Sequence, residues 1–160
     1  SGINAYLTLD LAQSLLRRGD GRYRDLMDAV ARLASATGDW PEAIHPRTFG
    51  GCMGDGQHGW AAAEWFLMVR ALFLREEGDD LVVASGLYPE WLRDGHRCSF
   101  GPTATRFGTL SVEVLSEGDR LSVLVDGSFR REPRSVRVAA PGFRETTVTS
   151  LNRTVVVERA

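Results

Sequence analysis

From Trp60 to Leu74 the chain reads Trp-Ala-Ala-Ala-Glu-Trp-Phe-Leu-Met-Val-Arg-Ala-Leu-Phe-Leu, and only Glu64 and Arg70 in it carry charge. The run predicts a helix from Gln57 to about Glu76 that is apolar nearly all the way round, and such a helix must be enclosed on most sides. It is too short for a bilayer span of about 20 residues, so protein has to supply the enclosure. Two neighbouring helices and a small sheet cannot surround it. The sequence therefore implies outside walls, from other chains or from protein beyond these residues. Buried charges are normally paired, so Glu64 and Arg70 are each expected to have a structural partner.

Before this run the apolar period is helical. Leu7, Leu11 and Leu15 with Ala5, Ala12 and Leu16 recur at spacings of three and four over residues 4–18. Gly19-Asp20-Gly21 then closes a tight connection. Tyr23, Leu26, Met27, Val30, Leu33 and Ala34 form a second stripe opposite a charged face, which completes an antiparallel helical hairpin. After Gly78 the period changes. Leu81–Ala84 reads as a strand, and Leu87–Leu92 as a turn or short helical piece. Leu110, Val112, Val114 and Leu121, Val123, Val125 alternate with polar residues across Ser116-Glu-Gly-Asp119, giving an antiparallel hairpin. Val136 and Val138, Val148, and Thr154–Val157 supply further strands, for five or six in all. The reading is α+β in series: a helical segment over 1–78 and an antiparallel, β-sandwich-like module over 79–160.

Charge and composition narrow the function classes. A net charge of −2 gives no electrostatic reason to expect nucleic acid or an anionic membrane as partner. All 19 basic residues are Arg and they are scattered, which points to a GC-rich genome more than to a binding surface. Cys52 and Cys98 fit neither a disulfide scaffold nor a metal spacing. Free thiols and a cytoplasmic location are expected. The chain opens Ser-Gly without a Met, which reads as a processing or cloning boundary.

The chemistry concentrates in the Gly- and Pro-rich loop between the two helical parts, which carries Trp40, Glu42, His45, Arg47, Asp55, Gln57 and His58. Loops anchored to a rigid element are where binding and catalysis gather. Glu42 stands beside Trp40-Pro41 and ahead of Pro46, on backbone whose φ the prolines fix. A carboxylate next to an aromatic ring suits a sugar site, where the ring stacks on the pyranose and the acid transfers a proton. The alternative is a loop carboxylate paired with Arg47. Asp55, between two glycines, is a good N-cap for the following helix. The glycine spacing fits no nucleotide motif. His45 and His58 lack a metal-ligand spacing, so hydrogen bonding is favoured over metal binding. Trp60 is the tryptophan placed to line a cleft, whereas Trp65, Trp91, Phe66 and Phe73 read as core.

Three stretches carry a resemblance: Trp40-Pro-Glu-Ala-Ile-His-Pro, then Gly51-Cys-Met-Gly-Asp-Gly-Gln-His-Gly-Trp-Ala-Ala-Ala-Glu-Trp65, and Pro102-Thr-Ala-Thr-Arg-Phe-Gly-Thr-Leu-Ser-Val112. Together they resemble the C-terminal end of bacterial six-hairpin glycosidase-like proteins, which are (α/α)6 barrels followed by a β domain. The resemblance is specific in residues 40–66 and weak after about 127. It implies that the chain holds the last barrel helices, with Trp60–Leu74 an inner helix whose other walls come from the rest of the barrel. In related inverting families, among them α-rhamnosidases and glucoamylases, a late-barrel loop supplies the general base. Glu42 is the position that matches. The resemblance further implies that His58 and Trp60 line the same cleft for a carbohydrate substrate, with Asp55 a weaker match, and that the general acid lies outside this chain. The residues themselves add Trp40, as the ring beside the acid, and His45, as a hydrogen-bonding group, to the substrate-binding set, with no metal or cofactor expected. The chain alone would then be inactive. The rival reading is a non-catalytic carbohydrate-binding or interaction domain, with a second copy completing its helical layer.

Overall fold

Gly19 has φ +71°, the left-handed conformation that lets a helix stop within one residue. Its N–H reaches the Leu16 carbonyl and the Asp20 N–H reaches that of Leu15, both at 3.0 Å, which satisfies the carbonyls at the end of helix α1 (Ala5–Arg17). The chain turns directly into α2 (Tyr23–Arg32). In this computed structural model, which describes residues 2–149 and 154–160, the two helices pair through Ala5, Leu9, Ala12 and Leu16 on one side and Tyr23, Met27 and Val30 on the other, all buried. The expected Leu7–Leu11 stripe of α1 does not enter this core, because both leucines are 53% exposed. Ala5 and Ala12 face inward instead, together with Leu9 and Leu16.

The loop after α2 is organised by two short strands. β1 (Ala43–Ile44) pairs antiparallel with β2 (Gly51–Met53), and Ile3 adds a bridge to Ile44 through two backbone bonds of 2.8 and 2.9 Å. Helix α3 follows, over Gly59–Phe73. It starts two residues later and ends three residues earlier than the sequence predicts. Leu74–Glu77 forms strand β3, with no connector after Phe73. Helix propensity at Leu-Arg-Glu-Glu is overridden by pairing: β3 faces β4 (Asp80–Val83) from Leu74↔Val83 to Glu77↔Asp80, across a tight turn with Gly78 at φ +59°.

The remaining strands form two four-stranded sheets. One has the order β10-β7-β6-β5, made of β5 (Arg97–Thr105), β6 (Gly108–Glu117), β7 (Arg120–Phe129) and β10 (Thr154–Glu158), all antiparallel. Leu110, Val112, Val114, Leu121, Val123 and Val125 lie on its buried face, as the period-two pattern predicts. The other sheet has the order β3-β4-β8-β9, with β8 (Ser135–Val138) and β9 (Thr146–Val148). The expectation of a wholly antiparallel module fails here, because β4 and β8 run parallel. The chain leaves β4 through a 3-10 turn at Pro89–Leu92, builds β5, β6 and β7, and returns in the same direction, which is how a parallel neighbour arises. With β3 to β10 the strands outnumber the five or six expected, and neither sheet closes on itself.

Compactness divides the chain into Ser1–Val69 and Arg70–Ala160, a boundary inside α3. Both charges in α3 have partners, as expected. Gln13 Nε2 donates to Glu64 Oε2 at 2.6 Å, and Arg70 Nη2 donates to both oxygens of Glu76 at 2.9 Å. Phe73 is buried, but Phe66 (52% exposed) is not the core residue predicted, and Trp91 is also exposed. No helix among the described residues is long and apolar enough to cross a membrane.

Candidate functional site

Glu42 is mounted by its backbone. Asn4 Nδ2 donates to the Glu42 carbonyl at 3.0 Å. Two residues upstream, the Trp40 carbonyl accepts the His58 N–H at 2.8 Å. On the remaining side the backbone of Gly54 lies so close that a Cβ there would sit 3.1 Å from the Glu42 nitrogen. Immediately after Glu42 the chain enters β1 at Ala43. A residue held by the N-cap residue of α1, the 54–58 loop and the start of a strand has little freedom to shift. Its half-buried carboxylate accepts no hydrogen bond from the described residues, and the pairing with Arg47 considered from sequence is not formed. The result is a carboxylate without a partner among the described residues, on backbone with little room to shift.

The loop residues divide by burial. Trp40 is only 3% exposed; its indole Nε1 donates to the Val30 carbonyl at 2.9 Å and its ring lies 5.3 Å from that of Trp65. It anchors the loop to α2, with little of its surface left in solvent for a ligand. His45 Nδ1 accepts the N–H groups of Arg47 and Thr48, both at 3.3 Å, so in the neutral ring the proton sits on Nε2. Its Nδ1 is spent on the turn, and Nε2 is the ring atom left for other contacts. Asp55 Oδ1 accepts the Gln57 N–H at 3.0 Å, a local turn rather than the cap of α3, which begins at Gly59.

His58 and Trp60 enter a cluster that sequence reasoning did not foresee, since its third ring, Tyr6, comes from α1. The Tyr6 ring lies 4.6 Å from Trp60 and 5.1 Å from His58. Trp60 is 58% exposed, and its Nε1 donates to Glu64 Oε1 at 3.3 Å. Glu64 is fixed in turn by Gln13. The Nδ1 of His58 is buried with no hydrogen-bond partner among the described residues. Tyr6, Gln13 and Asn4 belong to a helix that reads as a plain amphipathic element, and nothing local marks them. Glu64 carried a signal, a charge in an apolar run, but that signal pointed only to structural pairing.

No group of three His, Cys, Asp or Glu side chains among the described residues is placed to hold a metal ion. Cys52 and Cys98 are both free, and burial pushes the Cys98 thiol up. What the site offers is a carboxylate on fixed backbone that has no partner among the described residues, an aromatic cluster open to solvent, and polar groups that can exchange hydrogen bonds with hydroxyls. Comparison of the chain with family models, with curated proteins and with solved structures finds no match in any of the three.

Proposed function

We propose that this chain is the C-terminal part of a bacterial six-hairpin glycosidase-like protein, with α1, α2 and α3 closing an (α/α)6 barrel and the strands of 79–160 following it. In this reading Glu42 is the general base of glycoside hydrolysis in the cytoplasm. It takes a proton from water as the oxygen attacks the anomeric carbon, while an acid outside this chain protonates the departing glycosidic oxygen. No metal or cofactor takes part.

The observation that carries the reading is the mounting of Glu42: two backbone hydrogen bonds, the close backbone of Gly54, and a carboxylate without a partner among the described residues. A structural glutamate at a half-buried position is normally paired, whereas a base must keep its oxygens available. The apolar surface of α3 agrees with walls supplied from outside, since Phe66 is exposed and Leu67 is 42% exposed. The same exposure, with Leu7 and Leu11 on α1, favours the second reading, a non-catalytic carbohydrate-binding or interaction domain that pairs with another copy of itself.

Glu42→Gln in the full-length polypeptide separates the two. Turnover falling by roughly 10²–10⁴-fold with sugar binding retained supports the base. Unchanged turnover rejects it, and leaves binding as the function.

A further inference from the structure

We propose that Tyr6, Trp60 and Glu64 form a stacking subsite for a neutral pyranose ring, a binding position additional to Glu42. The inference rests on the carbohydrate reading above and deepens it.

An exposed indole is usually mobile, yet this one is held twice. Tyr6 backs one ring face at 4.6 Å with the planes 32° apart, and Glu64 accepts from Nε1 at 3.3 Å. Glu64 is itself oriented by Gln13 at 2.6 Å, so the indole is braced from α1 through both its face and its edge. With Tyr6 behind it and 58% of its surface in solvent, Trp60 presents its other face outward in a fixed plane. A ring held this way loses little conformational freedom when a ligand lands on it.

The chemistry selects the ligand. A pyranose has one face of C–H groups and a rim of hydroxyls. The electron-rich indole face suits the first. The carboxylate of Glu64, which has acceptor capacity beyond its two bonds, suits the second. A purely apolar partner would leave the Glu64 carboxylate desolvated without new hydrogen bonds, which is unfavourable. A uronic acid would bring like charge against it. Neutral sugars satisfy both halves of the site. Glu64 acts twice, directly as an acceptor for the sugar hydroxyls and, through its bond to Nε1, by setting the plane of Trp60.

The test uses the isotope-labelled chain itself, with the Trp60 indole N–H assigned by comparison with Trp60→Phe. Maltohexaose, cellohexaose, xylohexaose and mannohexaose are titrated separately to millimolar concentration, with oligogalacturonate as the charged control. We expect at least one neutral oligosaccharide to shift the Trp60 indole signal saturably. Trp60→Ala should weaken binding by about tenfold and Trp60→Tyr by less, since the ring is retained. Both sit at an exposed position, so the fold survives them. Glu64→Ala should move the indole N–H in the free protein as well as weaken binding, and Glu64→Gln should restore part of each. Glu42→Gln should leave this subsite unchanged. Sugar binding that is indifferent to Trp60→Ala and Tyr6→Ala overturns the subsite and leaves the carbohydrate reading standing. No response to any neutral sugar overturns both, and oligogalacturonate binding as tightly as the neutral sugars overturns the neutral-ring assignment.

Discussion

The Arg70 guanidinium shows how one side chain can tie several segments together. Its Nη2 donates to both Glu76 oxygens at 2.9 Å and to the Ala104 carbonyl at 3.0 Å, and Glu76 Oε1 also accepts the Arg106 N–H at 3.1 Å. Both side chains are mostly buried, at 14% and 21% exposure. Removing one partner strands the other, and this costs more than the net worth of the pair. Arg70→Met is therefore expected to lower stability by about 2 kcal/mol. Adding Glu76→Met should recover part of the loss, and urea unfolding of the single and double variants checks both. Sequence reasoning could state that Arg70 needs a partner but not which one, because Glu76 was assigned to the same helix. The partner became identifiable only with β3 in place.

Among the elements, two glycines separate conformational cost from collision. A Cβ at Gly19 would meet nothing within 4 Å, so Gly19→Ala strains only the left-handed backbone and should cost about 1 kcal/mol. At Gly127, in β7, φ is +145° and a Cβ would lie 2.1 Å from the Thr109 carbonyl oxygen across the β6–β7 ladder. Gly127→Ala should cost on the order of 3 kcal/mol or more, since strand backbone cannot yield as a flexible side chain can. Thermal unfolding of the two variants gives the comparison. The β6–β7 hairpin was legible because alternation and a Gly-Asp turn are local. The pairs β1–β2 and β3–β4 were missed. Two residues of Ala-Ile carry no period, and Leu-Arg-Glu-Glu carries a helical one. The parallel approach of β8 to β4 joins segments some fifty positions apart, and no local pattern encodes that. At the site, Glu42 and Trp60 were visible from composition, whereas Tyr6 and Gln13 were not, since only the fold brings α1 to them.

For the molecule as a whole, acid should be the destabilising direction. The Arg22 side chain, then its backbone N–H, holds the Asp20 carboxyl at about 2 against an ordinary 3.8. Arg134 and Ser135 lower that of Asp80. Burial pushes the Glu76 carboxyl up, but Arg70 and the Arg106 N–H together outweigh it and leave it lowered. Groups with depressed folded values stabilise fully above their unfolded values, and that contribution is lost as pH falls through the folded ones. The urea midpoint should therefore drop as the pH falls below about 4, and Arg22→Gln should flatten the Asp20 part of the drop. Arg22 and Arg134, their partners, are 74% exposed, which keeps the share of Asp20 and Asp80 small in salt.

The direct passage from Phe73 to Leu74 bears on how the gene can change. Turns such as Glu117–Arg120 can gain or lose residues at modest cost. At Phe73–Leu74 there is no spare residue. One codon more or fewer there rotates the end of α3 by about 100° relative to β3, or slips β3 against β4. The first takes Glu76 away from Arg70, and the second takes Arg75 away from Ser85. Descendants of this sequence should drift in length at their hairpin turns and keep a constant residue count from Arg70 to Ser85.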